Sequence, residues 1–148
     1  IFKNCDRAYR LYRHNYRFSI WTTEKAWYGR YEEDGQKTAA RAAIARRWSE
    51  LGLAMNPYAR RLVLVRVRWL ADEAIDEAIE TWHAYLDWAF WDSFNHAVMA
   101  ELYSQGGRYE DAMDELAWVR GPKDLAYARQ TIKDAWQEEM RSLQQPLR

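Results

Sequence analysis

The chain has 148 residues, 49% of them hydrophobic and 16% aromatic, with nine Trp and ten Tyr. That length allows one domain with a substantial core and does not require two. The single cysteine, Cys5, excludes an internal disulfide and fits a reducing compartment, while 22 Lys/Arg against 22 Asp/Glu leave no net charge to mark the whole chain as basic or acidic.

The charge is nevertheless divided along the sequence. Residues 1–68 carry 15 Lys/Arg and 6 Asp/Glu, a net +9, and residues 69–148 carry 7 and 16, a net −9. A basic face that meets something acidic would follow, as would two halves that attract each other. No apolar run is long enough to span a bilayer, because Arg66 and Arg68 interrupt the most apolar stretch, Leu62 to Leu70. The expectation is a chain that is soluble or peripheral to a membrane. Its start at Ile1 reads as processing, truncation or missing residues, and a removed presequence would fit.

Few Gly and Pro, abundant Ala, Arg, Glu and Leu, and no Asn-Gly or Asp-Gly hairpin signal predict an all-α protein of six or seven helices. The first helix is expected from near Asp6, after an Asn4 cap, to about Trp21, with Ala8, Leu11, Tyr12, Tyr16 and Ile20 as its inner stripe. Thr22 or Thr23 would cap a second helix ending at Gly35, with Trp27, Tyr28 and Tyr31 inward. A third would start at Thr38, bury Ala40, Ile44, Trp48 and Leu51, and stop at Gly52.

Beyond Asn56-Pro57-Tyr58, the segment from Arg61 to Arg68 alternates like a strand. Leu62, Val65, Trp69, Ile75, Ile79, Trp82 and Leu86 continue at helical spacing through Ala89, so a helix is expected. Asp92 or Ser93 caps a helix that runs to Gly106-Gly107, and a short helix spans Tyr109 to Arg120. Gly121-Pro122 breaks the chain, and a last helix runs from about Asp124 to Gln144, with Ala128, Ile132, Ala135, Trp136 and Met140 inward and Pro146 beyond its end.

A period of 34 residues relates Trp69, Glu73, Ala78 and Trp82 to Tyr103, Gly107, Ala112 and Leu116. The pattern of Tyr103, Gly107, Ala112 and Leu116 resembles the core of tetratricopeptide and pentatricopeptide repeats, in which small residues let paired helices approach closely. Glu73 where Gly belongs, and a 38-residue step back to Tyr31, Gly35, Ala40 and Ile44, depart from that period.

Candidate catalytic groups are sparse. His14, His83 and His96 are scattered, Cys5 has no neighbour at metal-ligand spacing, and Glu80-x-x-His83 lacks the second pair that a di-iron bundle needs. Phosphate-cradling Gly loops, nucleophile elbows and dinucleotide fingerprints are absent. A non-catalytic chain without a cofactor of its own is therefore expected. Arg with interleaved aromatics in the first half would also suit RNA.

Arg10-Leu11-Tyr12-Arg13, with Arg17 one turn later, and Arg30-Tyr31-Glu32-Glu33 resemble the signature of the LYR-motif family, small helical mitochondrial proteins with Leu-Tyr-Arg in the first helix and a downstream aromatic. The likeness is greatest to accessory LYR subunits of respiratory complex I, extends to Asn56-Pro57-Tyr58, and covers about the first 58 residues. Tyr31 stands where that family usually has Phe, 20 positions after Leu11. The resemblance implies an LYR-like three-helix unit at 1–57; within the one helical domain expected over 1–148, residues 58–148 would then be an extension of further helical hairpins that packs on partners. It further implies a non-catalytic accessory subunit of mitochondrial respiratory complex I, on the matrix side of the inner membrane, that docks an acyl carrier protein and helps assemble or stabilise the complex. Arg13 would meet the carrier, and Leu11, Tyr12 and Tyr31 would face the entry of its acyl-phosphopantetheine chain. Arg10 and Arg17 join them because they lie within a turn of Arg13. The alternative is a helical-repeat adaptor or RNA-binding protein of a mitochondrial assembly such as the ribosome.

Overall fold

The structure is a computed structural model that describes residues 2–11, 15–29 and 35–144. Among these residues there are eight α-helices, one 3₁₀ turn at Leu116–Trp118, and no strand, so the all-α expectation holds. No helix among them is long and apolar enough to cross a membrane. The chain divides into two compact units, Ile1–Trp69 and Leu70–Arg148. Arg and Lys dominate the first and Asp and Glu the second, since the boundary moves only the neutral Trp69 relative to the charge division.

The first unit comprises α1 (Phe2–Leu11), α2 (Tyr16–Gly29), α3 (Gly35–Met55) and most of α4 (Arg60–Glu73). The single first helix expected from Asp6 to Trp21 is instead two. Asn15 accepts the Arg17 N–H on its side chain at 3.1 Å and the Phe18 N–H on its carbonyl at 3.2 Å, which makes it the cap that starts α2. Thr22 and Thr23 consequently fall inside α2, where both are buried, rather than at its start.

Small residues set the packing of α2 on α3. Ser19 and Ala26 are fully buried, and so are Ala45 and Ser49 of α3. Gly52 does not end α3. A Cβ there would lie 2.4 Å from Leu62 Cδ1 and 2.7 Å from Ser19 Cβ, so this glycine is the contact point of α3 with α2 and α4. Trp27, Ala26, Ala45 and Val65 form a common core cluster, against which Phe2, Ile44 and Trp69 pack. Ion pairs tie the surface together, Arg47 to Asp6 at 3.2 Å and Arg61 to Glu24. The segment Arg61–Arg68 is helical, with Leu62, Val63, Val65 and Val67 buried and the arginines outside. Asn56 makes the turn before α4 by accepting the Tyr58 N–H at 3.1 Å.

The second unit holds the end of α4, then α5 (Ile75–Trp88), α6 (Ser93–Gln105), α7 (Tyr109–Glu115), the 3₁₀ turn and α8 (Pro122–Gln144). Ala74, with φ −153°, separates α4 from α5, so the long helical spacing through Ala89 is carried by two helices. α6 is the central element, packed on α5, α7 and α8. Nine of its residues are buried, from Asn95 through Ser104 apart from Glu101. Asp92 caps it by accepting the Phe94 N–H at 3.0 Å, as its position in the sequence predicts. Gly107 turns the chain toward α7 with φ 72°, a conformation that favours glycine. Pro122 opens α8, where a missing N–H costs nothing. Ala128 and Ile132 of α8 are buried, whereas Trp136 and Met140 are exposed against expectation.

Candidate functional site

Arg10 sits in the last turn of α1, exposed, with its Nε 3.4 Å from the Asp6 carbonyl. Leu11, expected on the inner stripe, is 70% exposed. Arg17 is exposed in the first turn of α2. Tyr12, Arg13 and Tyr31 lie outside the described residues. Between α1 and α2 an apolar cleft of about 600 Å³ is lined by Cys5, Ala8, Phe18 and Trp21, with Asn4, Asn15 and Arg17 at its polar positions. Of the sequence-predicted site residues, Arg17 borders this cleft; Arg10 and Leu11 do not line it.

A second feature, in the acidic unit, has no counterpart among those residues. Its foundation is Trp82, fully buried, whose indole N–H donates to the Asn95 carbonyl at 2.8 Å. From Trp82 a succession of rings climbs to the surface: Tyr85 at 5.0 Å between centroids, Trp88 5.9 Å further, Trp91 another 5.9 Å, and Phe90 edge-on to Trp91 at 5.5 Å. Phe90 and Trp91 occupy the turn between α5 and α6 and are 63% and 68% exposed.

Buried polar residues pin this turn. Asn95 Nδ2 donates to the Ala89 carbonyl at 3.0 Å. His96 Nε2 lies 2.7 Å from the Phe90 carbonyl, and its Nδ1 lies 2.7 Å from Glu115 Oε2 of α7. A carbonyl can only accept, so Nε2 donates to Phe90, and Nδ1 faces the carboxylate of Glu115. The His96 ring also stacks on exposed Trp118 at 5.7 Å and 20°. A polar group taken out of water is costly unless bonded. Here both buried side chains bond the backbone of a turn that carries two outward aromatic rings.

His83 is exposed and meets Asp87 at 3.4 Å, one turn along α5, while Glu80 is exposed. No group of three or more His, Cys, Asp or Glu among the described residues could hold a metal. At the α7–α8 contact, Tyr109 stacks on Trp136 at 5.8 Å and 19°, and the Tyr109 phenol is pushed up to about 12, first by its hydrogen bond to Glu139 and then by burial.

The helix starts are spaced at an interval similar to the weak sequence period. α4 starts at residue 60 and α6 at 93, a step of 33; α5 starts at 75 and α7 at 109, a step of 34. Ala78 and Ala112, 34 apart, are both fully buried, as is Trp82, and Leu116 is 6% exposed. Sequence reasoning passed over the exposed rings Trp88, Phe90, Trp91 and Trp118. The available signal was Trp88-x-x-Trp91 placed immediately before the Asp92 cap, where the end of a helix leaves aromatics with nothing to bury them. No family model, curated protein or solved structure matches the chain.

Proposed function

We propose that this chain is a non-catalytic helical-repeat adaptor that binds a protein partner. The observation that carries this is the register of successive helices, with starts 33 and 34 residues apart and fully buried alanines at matching places. Repeated helix pairs bury a core between neighbours and leave surfaces whose residues are free to vary, which suits binding. The separation of +9 and −9 between the two units adds two surfaces of opposite electrostatic preference. Affinity selection of a displayed random-peptide library on the purified full chain tests the reading. Enrichment of related peptides whose binding survives nuclease treatment is expected; recovery of nucleic acid alone, or of no peptide, overturns it.

One observation favours a second reading, in which the LYR-like segment docks an acyl carrier protein within a mitochondrial respiratory complex. The cleft between α1 and α2 is apolar and about 600 Å³, with Arg17 at its rim, and burial of an acyl chain stabilises by about 0.8 kcal/mol per methylene. Titration with an acylated and an unacylated carrier separates the two readings. Tighter binding of the acylated form, lost in Arg10/Arg17→Glu and Phe18→Asp variants, would support carrier docking over the adaptor.

A further inference from the structure

We propose that the rings of Trp88, Phe90, Trp91 and Trp118 form a docking ledge for an arginine-bearing segment of a partner protein, an assignment that rests on the adaptor reading. Large apolar side chains left exposed in a cluster mark binding surfaces more often than isolated ones do. This cluster is also held in place. Trp88 and Trp91 lean on each other and, through Tyr85, on buried Trp82; Asn95 and His96 bond the carbonyls of Ala89 and Phe90; Trp118 stacks on His96. A surface whose rings are already fixed loses little side-chain entropy on binding.

Charge selects the occupant. The unit that carries the ledge has 7 Lys/Arg against 16 Asp/Glu, and three of its carboxylates adjoin the ring residues: Asp87, next to Trp88 in sequence and paired with His83; Asp92, next to Trp91 and capping α6; and Glu115, on His96. A guanidinium stacks on an aromatic face while its edge can still hydrogen-bond a carboxylate, so exposed rings on an acidic unit match arginine better than lysine. A nucleic acid would also stack on such rings, but its phosphates would meet a net −9. Arg120, whose backbone N–H donates to Ser93 Oγ at 2.9 Å, is the nearest basic residue to Trp118 in sequence and moderates that field without reversing it.

The test uses the full chain and fluorescein-labelled Gly/Ser peptides that carry spaced arginines, with lysine, citrulline and glutamate versions of the same peptide. Polarisation is expected to rank arginine first, lysine several-fold weaker, and citrulline and glutamate without measurable binding. A Phe90→Ala/Trp91→Ala variant should weaken the arginine peptide about tenfold or more. Its melting temperature should match the parent's, because both rings are exposed; Trp118→Ala supplies an independent second variant. Equal binding of the arginine and citrulline peptides, or of the parent and ring variants, overturns the proposal. So does sedimentation showing that the parent self-associates through these rings, because the occupant is then a second copy of the chain. If library selection yields peptides that bind without arginine and ignore the ring variants, the ledge falls while the adaptor stands; if it yields no peptide, both fall.

Discussion

His96 joins the turn that carries Phe90 to Glu115, its two ring nitrogens each 2.7 Å from an acceptor on a different element. The ring bridges the two elements from opposite edges, and the residue is buried. His96→Leu should therefore cost about 2–3 kcal/mol, because it strands the Phe90 carbonyl and the Glu115 carboxylate together. Glu115→Gln keeps a partner for the ring and should cost about 1 kcal/mol. Urea unfolding followed by tryptophan fluorescence measures both, and equal stability of His96→Leu and the parent would show that the link carries no energy.

Two glycines should respond to alanine for opposite reasons. At Gly52 the added Cβ meets Leu62 and Ser19, so Gly52→Ala forces α3 away from its neighbours and should cost about 1–3 kcal/mol despite alanine's better helix propensity. At Gly107 nothing lies within 4 Å, and the cost, about 1–2 kcal/mol, comes from φ 72° alone. Asn tolerates that φ, so Gly107→Asn should recover much of the loss, whereas Gly52→Asn should be worse than Gly52→Ala. Thermal melts of the four variants decide it.

The raised Tyr109 phenol makes stability depend on high pH. Its ordinary value is 10.0, and the hydrogen bond to Glu139 holds it near 12, so the folded chain favours the protonated form. That contribution is complete below pH 10 and is lost as pH rises through about 12. Tyr109→Phe should cost about 0.5–1 kcal/mol at neutral pH and remove the latest step of the tyrosinate absorbance titration. A variant that melts like the parent across this range, with the same titration, would refute the assignment.

Outward and inward tryptophans on the same succession of rings should separate cleanly. Trp91→Ser, on the surface, is expected to change stability by less than about 0.5 kcal/mol. Trp82→Phe removes the indole N–H from the Asn95 carbonyl and opens a small void, for a loss of about 2–3 kcal/mol. Guanidinium unfolding of the two variants side by side provides the comparison.

The all-helical class, the helical reading of Arg61–Arg68, the Asp92 cap, the bend at Gly107 and the break before Pro122 were all legible in the sequence. Each depends on interactions within a few residues: hydrophobic spacing along one helix, a side chain bonding a nearby N–H, or a backbone angle that one residue type tolerates. The 34-residue relation between Ala78 and Ala112 was visible too, though only burial gave it weight. Other positions were settled by partners distant in the chain. Asn15 interrupts a run that reads as one continuous helix, and Thr22 and Thr23 have the composition of a cap but lie in the α2 interior. Gly52 has the chemistry of a helix stop, and became a point of close approach because Ser19 and Leu62 arrive there. Leu11 and Trp91 are as apolar as Leu62 and Trp82, and differ from them in being exposed rather than covered by packing. Sequence by itself determines what each residue can bond and how much water it would rather lose; the tertiary structure decides which residues receive a partner, because burial is a property of the neighbours that the fold delivers.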